Sequence, residues 1–187
     1  MKSIMYHYVK NFEKKYKYFS FLNVKNFEKQ INFFKKNYQF IDCNNLFSKV
    51  ISLDKKIFLT FDDGLACHYD CVYKILQKEK INAIFYIPTL PFDKQQILDV
   101  HKIHLILGLI GSKNAVQKLH EILAKNPSLF DKRLIKKYRN KIYFEHKKNE
   151  YSYIFKSYFN YFIKPKFKKT IINKIFKIVF GQNEKKI

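Results

Sequence analysis

Apolar and polar positions along the first ninety residues switch between two periods. Ile4-Met5-Tyr6-His7-Tyr8-Val9 is a short aromatic and aliphatic run suited to a buried strand. Phe27, Ile31 and Phe34 then recur at i, i+4 and i+7 behind Asn23, a residue type whose side-chain oxygen caps helices, so the spacing predicts a helix over 24–37. A strand is expected from Tyr38 to Cys43, and a helix-like turn from Leu46 to Val50. Lys56-Ile57-Phe58-Leu59-Thr60-Phe61 is rich in strand-forming residues and ends abruptly at Asp62-Asp63-Gly64. Val72, Ile75 and Leu76 predict a helix over 69–80, and Ile81 to Ile87 reads as a strand stopped by Pro88 and Pro91. Strand, helix, strand with short joints is a βαβ unit, which implies a parallel sheet covered by helices.

The pattern changes after Pro91. Residues 95–124 read as helix broken near Gly108 and Gly111, and residues 134–180 as further helix interrupted at Pro165. Within the latter, Ile154, Phe155, Tyr158, Phe159 and Phe162 fall at near-helical spacing, with Lys156, Lys164, Lys166, Lys168 and Lys169 alongside. Such a stripe is either the buried face of a helix whose lysines are solvated, or the apolar face of a helix lying on anionic lipid. Two regions are therefore expected, 4–92 and a mainly helical, lysine- and aromatic-rich 93–187.

Composition narrows the function classes. The 187 residues are 47% hydrophobic and 18% aromatic, enough for a folded core. Thirty-seven basic residues against 15 acidic ones give a net charge of +22, which suits an anionic partner. Arg133 and Arg139 are the two arginines, however, and lysine lacks the bidentate fork that reads base edges, so no sequence-specific nucleic-acid partner is expected. Cys43, Cys67 and Cys71 are odd in number and form no C-x-x-C pair, against a zinc ribbon or a disulfide framework and in favour of a reducing compartment. Residues 1–12 hold no apolar signal core, and no apolar run reaches the roughly 18 residues of a membrane span. A cytoplasmic location is expected, with any membrane contact peripheral.

Chemistry concentrates at Asp62 and Asp63. Adjacent carboxylates at a strand end repel, and a divalent cation is the usual remedy. One carboxylate can bind the cation while the other takes the proton of a bound water. The plainer reading is that both aspartates cap the following helix.

The surroundings add a resemblance. Thr60-Phe61-Asp62-Asp63-Gly64 after a hydrophobic strand, Ala83-Ile84-Phe85-Tyr86-Ile87 about twenty residues later and Met5-Tyr6-His7 near the start together resemble the polysaccharide deacetylases with a NodB homology domain, carbohydrate esterase family 4. The helix and strand from Val24 to Cys43 are similar to that family's first α/β unit. The likeness covers about residues 4 to 90, the N-terminal portion of such a domain. It implies an α/β fold, a partial distorted (β/α) barrel with a helical C-terminal region. It also implies metal-dependent hydrolysis of an N- or O-acetyl group on a polysaccharide or surface-glycan precursor, with zinc or a similar divalent metal. Asp62 is then the general base and Asp63 the metal ligand, at the strand ends where a barrel places its site. Thr60 and Gly64 are assigned structural roles.

The family completes its metal site with a downstream H-x-x-x-H, which this chain lacks. His101 and His104 form H-x-x-H, a spacing able to chelate, within what reads as a helical insertion. His120 and His146 read as solvated, His68 either as facing the site from the first helical turn or, more simply, as a polar surface residue, and His7 as supporting structure near the site mouth. Three functions fit. The first is a carbohydrate deacetylase, or the N-terminal portion of one. The second is a non-catalytic remnant or split-gene half that pairs with a separate C-terminal chain, and the third is a basic membrane-surface module.

Overall fold

The computed structural model describes residues 1–42, 54–129, 133–134 and 150–181. The chain divides into two units, one built from Met1–Glu13 and Ser20–Thr89, the other from Lys14–Phe19 and Leu90–Ile187.

The first unit is organised by its central strand. β1 (Lys2–Tyr6), β2 (Val9–Lys10), β3 (Leu22–Asn23), α1 (Val24–Asn37), β4 (Gln39–Phe40) and β5 (Lys56–Phe61) lead into a π-helical turn (His68–Tyr73), α2 (Lys74–Glu79) and β6 (Ala83–Phe85). β5 pairs in parallel with β1, β4 and β6, while β2 and β3 form a separate two-stranded parallel ladder. Residues of one parity bond to one edge of a strand. The Lys55, Ile57 and Phe61 carbonyls accept from β4 and from the end of β6, so those two strands share the edge opposite β1. The expected parallel α/β sheet is present, and the described strands do not close into a barrel.

Burial explains the elements. Ile57, Leu59 and Phe61, alternate residues of β5, are fully buried. Each contributes roughly 1.5–3 kcal/mol by leaving water. α1 covers the sheet with Phe27 and Ile31, and opens on Asn23, whose Oδ1 accepts the Lys25 N–H at 2.9 Å. That cap is worth about 1 kcal/mol. Tyr6 stacks on Phe61 with centroids 5.3 Å apart and meets Phe27 edge-on at 5.1 Å, so β1, β5 and α1 are clamped by one aromatic cluster. Burial pushes the Tyr6 phenol up to about 12, and its hydroxyl donates to Gln30 Oε1 at 2.7 Å. The strand expected over 38–43 is confined to Gln39–Phe40 among the described residues, and the 81–87 strand to Ala83–Phe85. Cys43 and the turn at 46–50 lie outside the described residues.

The second unit is helical: α3 (Leu90–Lys94), α4 (Asp99–Ile110), α5 (Ser112–Ala124), α6 (Glu150–Ser157), a π-helical turn (Tyr158–Phe162) and α7 (Pro165–Phe180). The break between α4 and α5 falls at Gly111, with φ 77°, and not at Gly108, which sits inside α4 under the Phe19 ring. Phe155, Phe159 and Phe162 are buried, and Ile171, Ile172, Ile175 and Phe176 present the inner face of α7 to the same interior. The apolar stripe of 151–180 is thus occupied by core packing rather than left open to lipid. Lys102 is buried too, its Nζ donating to Asn173 Oδ1 at 2.7 Å and lying 3.7 Å from Asp99. No helix among the described residues is long and apolar enough to cross a membrane.

Candidate active site

Strand register brings the reactive groups together. Tyr6 pairs with Phe61, and the Asp62 N–H extends the ladder by donating to the Tyr6 carbonyl at 3.0 Å. The next residues, His7 and Asp62, therefore emerge side by side from two parallel strands. His7 Nε2 lies 3.8 Å from Asp63 Oδ2 and 4.0 Å from Asp62 Oδ2. Both carboxylates are about one-quarter exposed, at 28% and 24%, so an attraction to protonated His7 is only partly screened by water. The backbone then turns left-handed at two successive residues, Asp63 with φ 79° and Gly64 with φ 56°. Glycine accepts that conformation freely and aspartate is among the few side chains that tolerate it.

His68 stands behind this edge. Its side chain is buried, edge-on to Phe61 with centroids 5.4 Å apart, and Nε2 lies 2.7 Å from the His7 carbonyl oxygen. A carbonyl only accepts, so Nε2 carries the hydrogen and Nδ1 is left as an acceptor. That Nδ1 is buried, with no hydrogen-bond partner among the described residues. Burial holds the imidazole below the usual histidine range, opposed by the His7 carbonyl and by Asp63. The Tyr8 phenol is pushed well above its ordinary value, first by burial and then by the charges of Asp63 and Cys67.

Asp62 and Asp63 lie where the sequence places them, at the end of β5. The helical segment after them has Cys67 at the cap position of its π-helical turn, with no side-chain cap bond there. Thr60 is buried in the strand. His7, expected near the site mouth, lies within 4.0 Å of both carboxylates, while His68 is a buried strut instead of a surface residue. The position of His7 follows from the pairing of strands, since His7 and Asp62 each follow the last residue of parallel neighbours. His101 and His104 share one face of α4 in the second unit, with ring centroids 6.4 Å apart. His120 is exposed and meets Tyr158 edge-on, and His146 lies outside the described residues.

Two carboxylates and an imidazole are the donor types a divalent cation takes. Donors about 2.0–2.2 Å from one ion sit roughly 3–3.5 Å from each other. The His7 separations exceed that, and no group of three or more His, Cys, Asp or Glu side chains among the described residues converges on an ion position. The described residues do not by themselves fit a metal centre.

Beyond the loop lies a cavity of about 260 Å³, walled by Gly64, Leu65, His68, Tyr69, Tyr73, Phe85 and Ile87. Tyr69 and Tyr73 stack with centroids 5.8 Å and planes 10° apart, yet are 71% and 46% exposed.

Comparison with known proteins bears on this edge. Among solved structures, the chain is similar to a Streptococcus pyogenes deacetylase in complex with acetate, at 20% identity and a TM-score of 0.42 over 57% of this chain and 51% of that one. It is also similar to a de-N-acetylase from Aggregatibacter actinomycetemcomitans, at 20% and 0.42 over 51% and 41%. A polysaccharide deacetylase from Bacillus cereus gives 23% and 0.40 over 56% and 34%. The chain spans about half or less of the length of these structures. No curated protein matches it. The polysaccharide deacetylase family model matches residues 49–104, a segment containing both aspartates, the π-helical turn and β6. Over those residues the chain is similar to polysaccharide deacetylases.

Proposed function

We propose that this chain carries the acid–base edge of a carbohydrate deacetylase, which hydrolyses an N- or O-acetyl group on a polysaccharide or surface-glycan precursor. The convergence of Asp62, Asp63 and His7 at the ends of two parallel strands, with both aspartates inside the segment matching the family, supports this reading. In it, Asp62 accepts the proton of the attacking water, a role that requires an ionised, partly hydrated carboxylate. Asp63 is the carboxylate offered to a divalent cation. His7, within 4.0 Å of both, offsets their mutual repulsion when protonated. The four-stranded sheet is read as the opening part of a (β/α) barrel, with 4–92 as the deacetylase-like portion and 93–187 as a helical extension.

The test is acetate release from an acetylated glycan, with and without divalent metal, for the wild type, Asp62→Asn and Asp63→Asn. Either substitution is expected to remove activity; full activity in both variants refutes the mechanism.

A second reading draws on the lack of a three-donor group among the described residues. In it the chain is a non-catalytic remnant or one half of a split enzyme, completed by a separate C-terminal chain. Metal-dependent turnover by this chain alone excludes it.

A further inference from the structure

We propose that a cavity in the helical unit binds a soluble amphiphilic anion, an apolar body carrying one anionic head group, with the head held by Lys156 and Lys168. The cavity encloses about 360 Å³ and is lined from α4, from α6 with the π-helical turn that follows it, and from α7. All of its lining belongs to the second unit, so the site stands apart from Asp62 and Asp63 and does not depend on the deacetylase reading. Its size is that of ordinary small-molecule pockets.

An ammonium without a counter-charge marks the head-group end. Lys156 is half-buried on the cavity wall, and burial holds its pKa below the ordinary lysine value, with no carboxylate among the described residues opposing that shift. A cation taken from water and left unpaired costs free energy, which a bound anion offsets. Asn160 lies four residues further on, and its carbonyl accepts from Lys168 Nζ at 3.3 Å, which brings a second ammonium to the same stretch of wall. Each ammonium has three donors, so that single bond leaves Lys168 able to hold an oxyanion. Asp99 is the one carboxylate among the described lining residues. Its Oδ1 sits 3.7 Å from the buried Lys102 Nζ, so its charge is already opposed.

Apolar residues complete the cavity. Val100 is exposed on its wall, while Ile103, Phe159 and Ile172 form a floor continuous with the helical core. An inorganic anion would leave that floor wet, and a neutral apolar molecule would leave Lys156 unpaired. An amphiphilic anion satisfies both ends, through charge at the lysines and removal of apolar surface from water at the floor.

The experiment is calorimetric titration of the full chain with octanoate, 1-octanol and acetate, for the wild type, Lys156→Met, Lys156→Arg and the exposed control Lys113→Met. Octanoate is expected to bind the wild type with one-to-one stoichiometry, about tenfold or more tighter than acetate, because its methylenes leave water. It should also bind about tenfold tighter than 1-octanol, the scale of one hydrogen bond to a charged group, and Lys156→Met should lose that same factor. Lys156→Arg keeps the charge and Lys113→Met lies outside the cavity, so both stay within about threefold of the wild type. Thermal melts guard against misfolding: Lys156→Met, freed of an unpaired half-buried charge, should melt no lower than the wild type yet lose the octanoate-induced rise in Tm. No saturable octanoate binding, equal affinity for acetate and octanoate, or wild-type affinity in Lys156→Met overturns the proposal. So does pelleting with phosphatidylglycerol vesicles that depends on Lys156 and occurs without octanoate saturation, which would place the lysine at a bilayer surface instead.

Discussion

The imidazole of His68 and the backbone carbonyl of His7 are 2.7 Å apart, which ties a buried side chain of the π-helical turn to the strand end that presents the site. Because burial lowers the His68 pKa, the unfolded chain binds this proton more readily than the folded one below about pH 6.5. Stability is therefore complete above that value and declines as pH falls through the lower folded-state pKa. Urea unfolding measured between about pH 7 and about pH 5 is expected to show this loss. His68→Gln, which keeps an N–H donor but does not titrate, should flatten that part of the slope. An unchanged slope assigns the pH dependence to other groups.

His7→Ala removes the imidazole from beside both carboxylates. The loss of acetate release is expected to be about two- to fivefold, the scale of one contact between partly exposed polar groups. Wild-type turnover in His7→Ala makes His7 a packing residue, and acetate release by the two proteins side by side decides.

Gly64→Ala meets two obstacles. Its φ of 56° is left-handed, and a Cβ there would stand 3.3 Å from Ile87 Cγ2. The conformational cost alone is about 1–2 kcal/mol. Thermal and urea melts should show that loss, together with reduced acetate release, because the same turn aims Asp63.

Gly108→Ala sets propensity against packing. Alanine in a helix interior gains about 1 kcal/mol over glycine. Here the new Cβ would come within 2.6 Å of Phe19 Cδ2 and 3.0 Å of Phe19 Cβ, and overpacking of that kind costs about 1–3 kcal/mol. Net destabilisation is expected. The same glycine substitution made in a Phe19→Ala background should recover the propensity gain, which a double-mutant cycle measures.

Local pattern was legible where one element's own residues decide its structure. The run of strand-forming residues in Lys56–Phe61 marked the central strand to the residue, and Asn23 marked the start of α1. The aspartate pair was visible as an abrupt polar stop after an apolar strand. What stayed hidden depends on partners distant in sequence. His68 follows a glycine turn and looks polar until Phe61 and Phe85 close around it. His7 gains meaning only once β1 and β5 are placed in register. Gly108 and Gly111 are equivalent as helix breakers on paper, and the ring of Phe19 and the left-handed backbone at Gly111 tell them apart. The π-helical turn replaces a plain helix start, and no apolar spacing distinguishes the two.

The pairing of Tyr6 with Phe61 makes the chemistry depend on counting. Deleting or inserting a single residue within β1 would rotate the imidazole of His7 to the opposite side of the pleat, even with every functional side chain still encoded. Indels in this lineage should therefore collect in the connectors, leaving both β-segments at constant length.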